Sequence, residues 1–189
     1  MGRPVSTLPP MQHVFIDVEA FGPPGIGRPF ALGAVKFNMS MGVYARFQCS
    51  ISWPGTVHAE QGTLDWLLKQ EQRVLAQARA GAPSFQRAWA MFIDFVYPDQ
   101  RDPTTFWADD FSDFAWLDFE ARTHQPAFPP LRSFGSQYDS SAIVALADPL
   151  KIYSVEKYGE LVPHFAEHDA LAGALDLIAA LTILGRTLP

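Results

Sequence analysis

The sequence predicts an α/β fold built on a mixed central sheet, and three observations predict it. A strand-like apolar run, His13 to Glu19, opens the chain. Two more strand-like runs follow it after short turns, and short connections join antiparallel neighbours. Beyond residue 104 a strand-like run passes directly into a helical one, the order that yields parallel pairing through a crossover helix. The 189 residues are 48% hydrophobic and show no internal repeat, so the expectation is one domain over 1–189, with 1–11 a flexible N-terminal segment.

Each element has its own signal. The Gly/Pro-rich stretch Phe21 to Gly27 is a turn, the second strand runs from Pro29 to Phe37, and the third from Val43 to Ser50 through the linker Asn38 to Gly42. From Thr63 the residues Leu64, Leu67, Leu68, Leu75 and Ala78 recur at helical spacing until Gly81 and Pro83 punctuate the chain. A second helix is expected from Ser84 to Val96. Thr104 to Ala108 reads as a buried strand, and a helix follows through Arg122. A Pro-rich loop from Gln125 to Leu131 leads to a short strand, Ser133 to Tyr138, and a short helix, Ser140 to Leu146. The closing helix spans His168 to Leu184.

The first strand carries the chemistry. Side chains two apart in a strand point the same way, so Asp17 and Glu19 share one face. Two adjacent anions on an otherwise apolar strand repel each other unless a positive group offsets them, and a divalent cation does so most simply. Magnesium and manganese prefer such carboxylate oxygens and commonly sit beside phosphate.

Composition narrows the partners. A formal net charge of −6 argues against a broad basic surface that wraps duplex nucleic acid, but leaves room for a narrow, metal-mediated phosphate site. The single cysteine, Cys49, can form neither an internal disulfide nor a cysteine-rich zinc site, which suits a reduced cytoplasmic protein. No stretch is long and apolar enough to act as a signal peptide or membrane span, since Asp176 interrupts the run from Ala170 to Leu184. The start Met1 to Ser6 fits a loose myristoylation pattern that ordinary residues satisfy by chance.

Three clusters in order, Asp17/Glu19, Asp113 and His168, resemble one family. "IDVEAFG" is similar to the I-D-x-E-T-x-G motif of the DEDDh branch of the DnaQ-like 3'-5' exonucleases, which have an RNase H-like fold. "ADDFSDFAWL" is similar to its second motif, h-x-N-x-x-F-D-x-x-x-L, with Asp109 where Asn is usual, Ser112 where an aromatic is usual and Asp113 at the acid. "EHDALAGAL" is similar to A-H-x-A-L-x-D-A. "TLDWLLKQ" resembles the W-W/L-x-x-Q helix of phage and bacterial members, DexA-type enzymes and single-strand exoribonucleases among them.

The resemblance implies a three-layer RNase H-like fold and cleavage of 3' ends of single-stranded RNA or DNA by two magnesium or manganese ions. Asp17 would bridge the ions, Glu19 and Asp113 would complete their ligands, and His168 would deprotonate the attacking water. Phe21 would meet the terminal base and Trp66 would line the cleft. The sequence departs from the pattern at Ala20, in place of Thr, and at Gly173, where the family carries its fourth acid. Asp169 and Asp176 lie within one helical turn of Gly173 and offer substitutes; the plain reading makes the first a helix N-terminal charge and the second a solvated residue. Gly173→Asp is then expected to raise the rate and tighten metal binding, because it restores an anionic oxygen at the fourth-acid position, and helix propensity does not oppose it.

Other readings remain open. His164 to His168 also fits the H-x-x-E-H zinc pattern, but no glutamate follows Glu167 to serve as third ligand. His168 has a structural alternative as a helix cap, and Trp66 as a core residue. For the whole chain, the alternative to an enzyme is a degenerate relative that binds nucleic-acid ends or a protein partner without cutting. Cys49 reads as a core residue.

Overall fold

The computed structural model describes residues 12–39, 42–55, 57–69, 83–97, 104–124, 135–141, 143 and 165–187; the side chains of 66, 67, 124, 135, 136, 165–169 and 183–187 lie outside the description. The N-terminal segment 1–11, the residues Leu75, Ala78 and Gly81, the Pro-rich loop and His164 are outside it as well.

Five strands make one sheet: β1 (Gln12–Ala20), β2 (Pro29–Asn38), β3 (Gly42–Ser50), β4 (Thr104–Ala108) and β5 (Gly135–Asp139), in the order β3-β2-β1-β4-β5. The pairs β1·β2 and β2·β3 are antiparallel, as the short connections require, while β1·β4 and β4·β5 are parallel. Gly42 enters β3 at φ 74°, a left-handed conformation that glycine adopts without steric cost. The helices are α1 (Gln61–Leu67), α2 (Phe85–Val96), α3 (Phe111–His124) and α4 (Phe165–Thr187).

Alternation along the strands sorts the core into two layers. Val14, Ile16 and Val18 of β1, with Leu32 of β2 and Phe106 of β4, face α2 and α3, which contribute Trp89, Phe92, Phe114 and Leu117. Phe15, on the opposite face, packs with Val35, Phe37 and Trp107 beneath Ala170, Leu171, Ala174 and Leu177 of α4. Each large side chain so buried contributes about 1.5–3 kcal/mol. Helices on both faces of a mixed sheet give the three-layer α/β arrangement expected from the sequence. Cys49 is buried on β3. Among the described residues, no helix is long and apolar enough to cross a membrane.

Three boundaries differ from the sequence reading. Helix α1 begins at Gln61, two residues before the apolar period starts, because Leu64 N–H closes its first turn on the Glu60 carbonyl at 3.0 Å. Strand β5 is shifted to Gly135–Asp139, the register in which it pairs with Thr104–Ala108. Helix α4 begins at Phe165, so His168 lies inside its first turn.

Candidate active site

The site is built where the centre of the sheet comes apart. Pairing between β1 and β4 runs from Gln12↔Thr104 to Phe15↔Trp107 and stops there. Past that point the chain leaves β4 and enters α3 within three residues, so the last residues of β1 lose their strand neighbour on that side. The backbone N–H of Val18 donates instead to Oδ1 of Asp113 at 3.0 Å. Crevices at the carboxyl ends of parallel strands, where the connections diverge, are the usual ligand sites of open α/β sheets.

This bond brings Asp113 to the residue that separates Asp17 from Glu19. Those two share the β1 face that α4 covers, whereas Asp113 reaches in from α3 on the opposite layer. Asp113 sits in the first turn of α3, where the helix dipole favours an anion. Burial nevertheless pushes its carboxyl up to about 7; the Val18 amide works against the rise, and the charges of Asp110 and Asp109 add to it. Asp17 is half-buried and has interactions of its own, and its Oδ2 atom is buried without a hydrogen bond.

The adjoining turn is acidic too. Asp110 Oδ1 accepts the Ser112 N–H, and Asp109 Oδ1 accepts the buried Ser140 hydroxyl at 3.2 Å. Asp176 is half-buried on α4, and its carboxyl is raised first by burial and then by Asp109. It therefore faces the acidic turn and is not the solvated residue of the plain reading.

Gly173 corrects a second expectation. Its Cα lies against β1, and a β-carbon there would overlap Cε1 and Cζ of the Phe15 ring. The ring is 1% exposed and closed in by the α4 layer. Helix propensity would permit aspartate at 173, but packing does not: the space into which that side chain would extend is the sheet core.

The remaining candidates are placed as follows. His168 and Asp169 lie on the first turn of α4 and Trp66 on α1, all three with side chains outside the description. Phe21 is half-buried, its ring centroid 4.7 Å from that of Phe30, and its backbone bridges Arg28 and Glu60. Its ring is thus spent partly on the core.

The sequence reading missed the wall of the cleft. Val18, Glu19, Ala20, Glu60, Thr63 and Trp116 line an open cavity of 390 Å³. A second cavity of 310 Å³ shares Ala20, Glu60, Thr63 and Trp116 and continues along Gly22, Pro23 and Ser112. Trp116 lines both, held by its indole N–H to the Gly22 carbonyl at 3.0 Å. The available signal was helical spacing: Trp116 stands three residues after Asp113 and so on the same side of α3.

Oxygen is the only donor type that Asp17, Glu19 and Asp113 offer, and a carboxyl raised by burial first and by neighbouring anions second suits a hard divalent cation. In that chemistry the three fit a metal. Among the described residues, no group of three or more His, Cys, Asp or Glu side chains is already arranged to hold one.

Solved structures share the fold at low identity. The nuclease domain of 3'hExo, a DEDDh family member bound to rAMP, matches with a TM-score of 0.60 at 13% identity, over 93% of each chain. The metal-free form of the E. coli ExoI–ssDNA complex matches with a TM-score of 0.65 at 17% identity, over 93% of this chain and 41% of the other. Cell-death related nuclease 4 (CRN-4) matches at 0.61 and 12%, over 94% of this chain and 65% of the other. The fold is therefore RNase H-like, as in DEDDh exonucleases. No curated protein sequence matches. A family model does match, over residues 12–183, from the first residue of β1 into the last turns of α4 and so across every strand and helix that builds the cleft. The chain belongs to the 3'-5' exoribonuclease Rv2179c-like domain family.

Proposed function

We propose that this chain is a 3'-5' exonuclease that removes nucleotides from single-stranded RNA or DNA ends in a reducing cytoplasm, acting as one domain. One observation carries the reading: Asp113, from a separate element, is hydrogen-bonded to the residue between Asp17 and Glu19. That contact brings a third acid to the strand end that carries the other two, in a chain that belongs to an exoribonuclease domain family. Asp17, Glu19 and Asp113 would hold magnesium or manganese, two ions by resemblance, which supply charge neutralisation at the phosphate. His168 takes the proton of the attacking water from its place on α4. The bond from phosphorus to the 3' oxygen of the penultimate nucleotide breaks, and a nucleoside 5'-monophosphate leaves. Phe21 and Trp66 are proposed contacts for the terminal base.

A second reading, an end-binding relative that does not cut, is supported by one observation. Position 173, the place of the fourth acid by resemblance, is filled from the other side by Phe15. Asp176 and Asp169 are the remaining acids on that helix. The deciding experiment incubates 5'-labelled single-stranded RNA and DNA with magnesium or manganese. Stepwise shortening that a chelator stops supports the enzyme; retention of full-length strands under every condition, with binding intact, selects the second reading.

A further inference from the structure

We infer that Glu60 reads the sugar of the terminal nucleotide, its carboxylate accepting a hydrogen bond from the ribose 2'-hydroxyl. The inference rests on the exonuclease reading and carries it to a single residue. Glu60 and Glu19 line the same 390 Å³ cavity, with Ala20, Gly62 and Thr63 as its small-residue lining and Trp116 as its wall.

An ionised carboxylate is acceptor-only: it repels phosphate oxygens and welcomes hydroxyl donors. A nucleotide whose phosphate lies at Asp17 and Asp113 extends its sugar toward Glu19, the next residue on that face, and so into this cavity. A ribose there offers two vicinal hydroxyls, and the cavity offers two acids. Deoxyribose leaves one of them unanswered.

Glu60 is also held in place. Its N–H donates to the Phe21 carbonyl at 2.8 Å and its own carbonyl accepts Leu64 N–H at 3.0 Å, which ties it to the β1 turn and to α1. Gly22, with no side chain, leaves room beside its β-carbon. The anchored backbone roots the side chain at the cavity. Because the side chain is solvent-exposed, the gain falls at the low end for a hydrogen bond to a charged group, about tenfold.

The test titrates AMP, dAMP, UMP and dUMP into the protein with magnesium by calorimetry, for the natural chain, Glu60→Gln and Glu60→Ala, with strand-shortening assays in parallel. The expected result is ribonucleotide binding about tenfold tighter than deoxyribonucleotide binding for both bases. Glu60→Gln, which keeps an uncharged acceptor, should shrink that ratio and Glu60→Ala should abolish it, while deoxyribonucleotide affinity and melting temperature stay unchanged. Equal ribo and deoxy affinities in the natural chain, or an equal loss on all four ligands, overturns the role. A ratio that follows adenine against uracil assigns Glu60 to the base and overturns it as well. If strands are shortened while any of these results holds, the exonuclease reading stands and only the sugar contact falls; no binding and no shortening removes both.

Discussion

Val18 N–H and Asp113 Oδ1, 3.0 Å apart, join two elements 95 residues apart in the chain at the point where β1 and β4 separate. The bond serves structure and site at once. It satisfies a backbone donor that has lost its ladder partner, and it fixes a carboxylate beside the two acids of β1.

Asparagine and alanine at position 113 separate those duties. Asp113→Asn retains an acceptor for Val18 and loses the charge, so cleavage should fall by two orders of magnitude or more, on the scale of lost transition-state electrostatics, while the fold persists. Asp113→Ala strands the buried amide and should cost about 1–3 kcal/mol of stability. Chemical denaturation beside rate measurements distinguishes the two. Equal stabilities for Asn and Ala would refute the structural role of the bond.

The metal-free protein should lose stability as pH rises. Asp113 moves from 3.8 to about 7 on folding, so across that window the folded chain keeps a proton that the unfolded chain has released. Folding is therefore favoured at the acid end, and stability falls toward about pH 7. Asp176 and Glu120, both raised chiefly by burial, act in the same sense. His13, lowered by burial, opposes them just below 6.5. Thermal melts in chelator should show the decline and melts in magnesium a smaller one; a stability that climbs through the window in chelator contradicts it.

Replacement of Asp17 by Asn is expected to abolish manganese binding and cleavage together, because under the proposed function this carboxylate would serve both ions. Calorimetry with manganese reads it directly. Unchanged affinity would remove Asp17 from the metal site.

Gly173→Asp should lower stability by about 1–3 kcal/mol, the cost of overpacking, and should not raise the rate. A smaller residue at position 15 should relieve it, so Phe15→Ala with Gly173→Asp should be more stable than the two separate losses predict. A double-mutant cycle by urea denaturation measures that coupling. Additive losses would show that the ring and the glycine are independent.

Trp116→Phe keeps an aromatic wall and removes the N–H that ties it to Gly22. The expected effect is a KM several-fold higher with kcat nearly unchanged, since under the proposed function a cavity wall would position substrate and supply no reacting group. A drop confined to kcat would place Trp116 in the chemistry instead.

Much of this was legible before the structure, for reasons visible at single residues. Alternation in His13 to Glu19 and the motif order located Asp17, Glu19 and Asp113, because a strand's two-residue period and a strand-to-helix turn leave marks in the chain. Glu60 left no mark, since it is tied to the cleft through a long-range bond to Phe21, and Trp116 left only its helical spacing from Asp113, its bond to Gly22 being invisible in the chain. Gly173 was misread because propensity is a property of one helix, whereas the Phe15 ring beneath it belongs to a strand more than 150 positions away in sequence.

That ring has a consequence for how sequences near this one can be explored. Residues 15 and 173 form a lock with two keys: a survey that changes one position at a time will score 173 as intolerant of every side chain and will report nothing about whether an acid there is useful. Only libraries that vary both positions together reach the variants in which a shortened residue 15 opens the volume that an aspartate at 173 requires. Paired substitution, not saturation of the single site, is the route to any chain of this fold with a fourth acid at that position.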